Sequence, residues 1–290
     1  MSAQAAETLE LDELVARIPD GARLALPPDY SGCAMAAVAA LIRRGARRLH
    51  LVGVPALGFQ ADWLIGAGCV GTIETAAMTL GEYGLPPRFN AAIKARTVRI
   101  MDATCPAIHA GLQAAEKGIP FLPLRGILGS DLLKHRPDWK VIDNPFAGDE
   151  PGTGGQDPIV LIPAIRPDVT LFHAARADTH GNVWIGVRRE LMLMAHASRT
   201  TLVTVERIED TDFLRDERLA AGTIPALYIS ALAVARHGAL PNGLAGEYPA
   251  DSKALADYVS AAQSAEGFQR WLAEGVLAAA PDRTSARVPA

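Results

Sequence analysis

The hydrophobic pattern alternates between short apolar runs and longer segments with helical spacing. "LELDELVARI" places Leu11, Leu14, Val15 and Ile18 on one helical face and breaks at "PDG". "ARLALP" reads as a short buried strand. "SGCAMAAVAALIRRG" reads as a helix, with Ser31 as a capping residue, an Ala-rich middle and Gly45 after two arginines. "RLHLVGV" is a second apolar strand, so strand, helix and strand follow within about 30 residues, the length of a βαβ unit.

The alternation continues. "VGTIETAAM" and "TVRIMDA" are strands. "TCPAIHAGLQAAEKG" is a helix that Thr104 starts and Gly118 ends, and "IPFLPL" is the next strand. "PIVLIPA", "VTLFHA" and "TLVTVERI" are apolar and β-branched, as suits strands covered on both faces of a mainly parallel sheet. The fold class expected is α/β, with helices on a central sheet. One domain over residues 1–278 is expected, because no segment has the composition of a linker. "DNPFAGDEPGTGGQDP" reads as an exposed loop, and residues 279–290 as a disordered tail.

Composition narrows the class. The chain has 290 residues, 49% hydrophobic and 21% charged, enough for a large core. A net charge of -4 gives no bulk attraction to nucleic acid or to an anionic membrane. Cys33, Cys69 and Cys105 are odd in number and far apart, which points to a reducing compartment rather than a disulfide framework. The acidic start lacks a signal-peptide core, and no run reaches the roughly 18 apolar residues of a membrane span. A soluble, cytoplasmic protein is expected.

Candidate chemistry is scattered. "TLFHAARADTHGNVWIG" holds His173, Asp178 and His180 within eight positions. Their spacing matches no standard zinc pattern, whereas Gly181 and Asn182 suit a tight reversal between two strands. On that reading His173 ends a strand and Asp178 hydrogen-bonds the turn backbone, and no metal is expected. "GTGG" at 152–155 lacks the lysine and helix of a phosphate loop, and Pro27-Pro28 stand where a dinucleotide fold carries glycines, so neither a P-loop nor NAD is implied. No GxSxG is present. Cys105 begins a helix with His109 one turn on, a pairing that chemistry can use but packing also explains.

Carboxylates are the other group. Asp102 ends a strand just before a helix, where α/β sheets place their sites. Glu82 lies in the Gly- and Pro-flanked loop "TLGEYGLPPRF". Asp131 follows Gly129 and Ser130 in "GILGSDLLKH", where backbone N–H groups and a hydroxyl can meet an anion. Capping or solvation accounts for each singly; together they outline a cleft.

The order of "GLQAAEKGIPFLPLRGILGSDLL", "VIDNPF", "DVTLFHAARADTHGNVWIG" and "RTTLVTVERI" resembles the α subunits of heteromeric family I CoA-transferases, those of glutaconate CoA-transferase and their steroid-degrading paralogues above all. The likeness runs from about residue 20 to about residue 271, and its two blocks, FLP-to-GSD and HAxxADxxGN, are specific in combination. It implies an open three-layer α/β/α sheet of the CoA-transferase and sugar-phosphate isomerase type, and a structural role for the HAxxADxxGN turn. It implies no permanent cofactor, coenzyme A as cosubstrate, and a homologous β subunit, in a heterodimer or α2β2 assembly, that carries the nucleophilic glutamate. Gly126, Gly129, Ser130 and Asp131 match the loop facing the acyl-CoA cleft, and Asp102 matches an acidic position near substrate. In the steroid-degrading paralogues the reaction is hydrolytic ring opening, and Asp102 or Glu82 would then be the general base. One departure stands out: Pro27-Pro28 replace the usual Gly-Gly, so no backbone N–H is offered there. That departure also motivates a third reading, a catalytically inactive pseudo-subunit.

Overall fold

The apolar runs become neighbours in one sheet. A computed structural model describes residues 6–147 and 157–278. Its main sheet runs Glu7–Thr8, Ala231–Val234, Thr200–Glu209, Val169–Asp178, Arg23–Leu26, Leu49–Gly53, Val70–Thr75 and Arg99–Asp102, each parallel to the next. Two short strands, Val183–Trp184 and Thr223–Ile224, add on antiparallel. From Arg23–Leu26 the chain moves outward strand by strand to Arg99–Asp102. It then returns to the other side of Arg23–Leu26 and moves outward the opposite way. The strand order therefore reverses between Arg23–Leu26 and Val169–Asp178.

Each face of the sheet carries its own core. Leu24, Leu26, Leu49, Leu51 and Ile73 pack against helices Leu11–Ala16, Met35–Arg44 and Phe59–Gly66. Tyr258, Phe268 and Trp271 close that layer with edge-on and tilted aromatic contacts. Alternate residues, Ala25 and Val52, face helices Cys105–Glu116 and Arg189–Ala197. Over these lies a small antiparallel sheet of Phe121–Leu124, Pro158–Pro163 and Lys140–Asp143. The architecture is three-layer α/β/α, as the sequence pattern and its resemblance imply.

Helix ends follow local chemistry. Thr104 accepts a hydrogen bond from the Ala107 N–H, and Gly118 follows the helix end with φ +68°. Gly45 ends Met35–Arg44 in the left-handed region, as expected. Ser31 is not the cap of that helix: the helix begins at Met35, and the Ser31 hydroxyl turns instead to Glu190. His173 is not at a strand end either. Val169–Asp178 stays in register with Thr200–Glu209 along its length, which carries the strand five residues past His173. The "GTGG" loop and the 279–290 tail lie outside the described residues.

Candidate active site at the carboxyl edge

Parallel strands direct their carboxyl ends, and the loops that follow, to one edge of the sheet. A crevice opens where the strand order reverses. At that point residues 27–32 leave Arg23–Leu26 and residues 185–190 lead into helix Arg189–Ala197. The 27–32 loop is tied down on every side. The Asp29 carboxylate accepts the Phe59 N–H at 3.1 Å on both oxygens and caps that helix. Burial raises the Asp29 pKa to about 6, against the pull of the Phe59 N–H and the Cys33 thiol. Gln60 donates to the Pro27 carbonyl at 3.1 Å and accepts from the Ala34 N–H at 3.1 Å. Gly32 has φ +74°, and a Cβ there would run into the His173 carbonyl. Between these anchors the Tyr30 ring stands 64% exposed, with the Arg188 guanidinium 5.4 Å above it.

Asp102 ends its strand at the same edge. Its carboxylate is exposed, accepts only the adjacent Ala103 N–H at 3.0 Å and has no cation within 4.0 Å among the described residues. Its carbonyl accepts from Arg136 at 3.1 Å. Arg136 also donates to Glu74 at 2.8 Å and to Asp138 at 2.8 and 2.9 Å, and lies over the Trp139 ring. Glu74 is 1% exposed and takes a second arginine, Arg23, at 2.6 Å. Burial pushes the Glu74 pKa up, but His50, Arg23 and Arg136 outweigh it and hold the carboxyl at about 2. This clamp pins the 126–136 segment to the main sheet and lines a cavity of about 120 Å³.

The turn before Arg136 is largely self-satisfied. The Ser130 hydroxyl accepts from Leu132 N–H at 3.2 Å, and the N–H groups of Ser130, Leu133 and Lys134 are taken by carbonyls of the same turn. Asp131 is exposed and pairs with Lys134 at 2.6 Å. Gly126 and Gly129 face open space, Gly129 with φ +76°. Arg136 brings this turn to Asp102. Glu82 lies elsewhere, in the exposed turn Gly81–Tyr83, whose Tyr83 packs on Phe59 in the opposite layer.

The histidines of the reversal do not converge. His173 is fully buried and lies between the Thr204 hydroxyl at 2.8 Å and Glu206 at 2.7 Å. Glu206 also accepts from Tyr248 at 2.6 Å and from the N–H groups of His237 and Gly238. Burial raises its pKa, but these partners outweigh that and hold it at about 2. Asp178 accepts from the N–H groups of His180, Asn182 and Phe213, the turn role expected of it. Cys105 is exposed at its helix start, and no hydrogen bond joins it to His109 among the described residues.

The sequence pattern gave no sign of Asp29, Tyr30, Glu74, Arg136 or Arg188 as site residues. The partners of Glu74 and Glu206 lie 24 to 62 positions away, with no local spacing to read. The one hint for Glu206 is a charged residue inside an otherwise apolar strand.

The coenzyme A transferase family model matches residues 8–234. The chain belongs to this family. It is 32% identical over 278 residues to a 3-oxoadipate CoA-transferase subunit of Pseudomonas knackmussii, covering 93% of each chain. It is 30% identical over 280 residues to the cholesterol ring-cleaving hydrolase IpdA subunit of Mycobacterium tuberculosis, covering 90% of each. The crystal structure of glutaconate coenzyme A-transferase from Acidaminococcus fermentans superposes with a TM-score of 0.83 at 27% identity, over 94% of this chain and 89% of that one. A longer, uncharacterized protein of Archaeoglobus fulgidus is 30% identical over 235 residues, and the chain spans 50% of it. No described helix is long and apolar enough to cross a membrane.

Proposed function

We propose that the chain is the α subunit of a heteromeric acyl-CoA:carboxylate CoA-transferase. It walls the acyl-CoA pocket, and a homologous companion subunit carries the nucleophilic glutamate. The observation that carries this reading is the 93% mutual coverage with a transferase subunit of the same family. Two similar proteins are named for 3-oxoadipate and glutaconate, acids with two carboxylates, which supports a short dicarboxylic acid as substrate. Three free cysteines suit a reducing, cytoplasmic setting.

In such chemistry the companion's glutamate attacks the thioester carbonyl and expels the CoA thiolate, leaving a mixed anhydride. The thiolate then attacks the glutamyl carbonyl and releases the first acid. The acceptor carboxylate attacks the resulting glutamyl-CoA thioester, and the thiolate returns to the new acyl carbonyl. This chain contributes walls and electrostatics. Gly126 and Gly129, with open space at their α-carbons, let a pantetheine arm approach the backbone beside Ser130 and Asp131. Pro27 and Pro28 withhold two N–H donors, so oxyanion contacts fall to other groups of the cleft. The test is co-expression with the companion, followed by acyl-CoA and borohydride. A reduced glutamate on the companion supports transfer; one on this chain refutes the division of labour.

One observation favours a second reading, hydrolytic ring opening of a CoA thioester. Asp102 is an exposed carboxylate at the carboxyl edge without a counter-ion among the described residues, and the chain is similar to a ring-cleaving hydrolase subunit. Asp102 would then act as general base on water, with Glu82 the alternative base. Substrate consumption with no trapped thioester, abolished by Asp102→Asn, supports it; unchanged rates in Asp102→Asn and Glu82→Gln remove it.

A further inference from the structure

We propose that Arg188 binds the second, non-reacting carboxylate of a dicarboxylic acyl substrate, and so sets which acids the transferase accepts; this rests on the transferase reading above. Arg188 stands at the reversal of strand order, where open α/β sheets form their ligand crevice. It immediately precedes helix Arg189–Ala197, which packs beside Cys105–Glu116, the helix that follows Asp102. Near their far ends His196 and Glu116 meet at 3.1 Å. The two helices thus run the same way, and both begin at the carboxyl edge. Arg188, over the loop that follows Arg23–Leu26, and Asp102, three strands along at about 4.8 Å per step, therefore line the same carboxyl edge, with Arg188 at the crevice itself.

The local build suits recognition of an anion. Arg188 has no carboxylate within 4.0 Å among the described residues, whereas Arg23, Arg44, Arg125 and Arg176 each have one and Arg136 and Arg207 two. Its guanidinium is held over the Tyr30 ring, which fixes the fork without consuming its donors. Tyr30 is fixed in turn by its neighbours: Asp29 caps Phe59–Gly66 and Ser31 bonds Glu190. Val187 beside it is 84% exposed, an apolar wall for methylene groups. When one carboxylate of a diacid becomes a thioester, the other stays ionised and needs a cation. Arg188 is a preorganised cation at that mouth.

The experiment uses the chain assembled with its companion, acetyl-CoA as donor, and adipate against hexanoate as acceptors. Arg188→Ala should lower kcat/KM for adipate about 30-fold or more, as expected for a charged hydrogen-bonded pair. It should change kcat/KM for hexanoate less than about 3-fold, and Arg188→Lys should fall between. Tyr30→Ala should cost adipate about 2- to 5-fold by loosening the guanidinium. Equal losses for both acids overturn the proposal. If those equal losses vanish when acetyl-pantetheine replaces acetyl-CoA, the anion bound is a phosphate of CoA rather than the acid. Absence of transfer by the unsubstituted assembly refutes the function reading instead. Calorimetric titration with adipate and hexanoate then still reads Arg188: selective loss of adipate binding in Arg188→Ala supports it, and unchanged binding overturns it.

Discussion

The His173–Glu206 cluster and the Tyr30–Arg188 mouth lie at neighbouring strands of one sheet, yet they use polar side chains in opposite ways. In the first, every group is spent. Glu206 takes four donors, and the buried His173 ring has a partner on each nitrogen. In the second, Tyr30 is mostly exposed, and among the described residues Arg188 lacks a counter-ion and the Asp102 carboxylate at the same edge accepts only its neighbour's N–H. A satisfied polar network rigidifies a fold, whereas an unsatisfied rigid one is free to bind. The motif densest in chemistry-bearing residue types is therefore scaffold, and the plainer loop is the candidate site.

Glu206→Ala tests the scaffold half most severely. It leaves an imidazole, a phenol and two N–H groups without their acceptor, and should cost about 3–5 kcal/mol in urea unfolding. A cost below about 1 kcal/mol would erase the difference between the two regions.

The pH response separates the regions next. Glu74 and Glu206 are held at about 2 from an ordinary 4.5, so their stabilisation is present above pH 4.5 and drains away as pH falls toward 2. Glu74 is worth on the order of 3 kcal/mol at neutral pH, and Glu206, nearer to solvent, somewhat less. Asp29 has the opposite sign. Raised from 3.8 to about 6, it favours folding below about pH 4, and that contribution is lost as pH rises through 6. Thermal melts from pH 3 to 8 should show an acid arm that Glu74→Gln flattens. The Asp29→Asn variant should gain on the parent between pH 4 and 6. A gain in the reverse direction would mean that Asp29 is folded as a carboxylate throughout.

Gly32→Ala should cost about 1–3 kcal/mol, because φ +74° is strained for a side chain and the His173 carbonyl blocks its Cβ. It should also disorder Tyr30, read as loss of discrimination between adipate and hexanoate. Asp102→Asn sits at the small end for stability, within about 0.5 kcal/mol, since the carboxylate is exposed. If the ring-opening reading holds, the same variant loses about 100-fold in rate. A large stability loss without a rate loss would move Asp102 into the scaffold.

Local chemistry determined a good part of this molecule. Apolar β-branched runs had to be covered on both faces, and became the central strands. Thr104 and Gly118 bounded a helix because capping acts within one turn. Gly181 and Asn182 marked a reversal, and Asp178 closed it. Other elements were illegible. Phe59–Gly66 is buried from Phe59 through Ile65, so it shows no amphipathic stripe, and Pro87–Ala95 begins at a proline that reads as a loop. Helix Met35–Arg44 starts four residues after Ser31, past Gly32 at φ +74°, and the Ser31 hydroxyl goes to Glu190, 159 positions away.

The site belongs to that second class. Sequence placed Asp102 at a strand end and Gly126, Gly129, Ser130 and Asp131 in a loop, since both depend on neighbours along the chain. Only the tertiary structure joined them through Arg136, separated Glu82 into the other layer, and set Arg188 over Tyr30. Those outcomes depend on where the strand order reverses, and hydrophobic periodicity says that a strand is buried without saying which strand lies beside it.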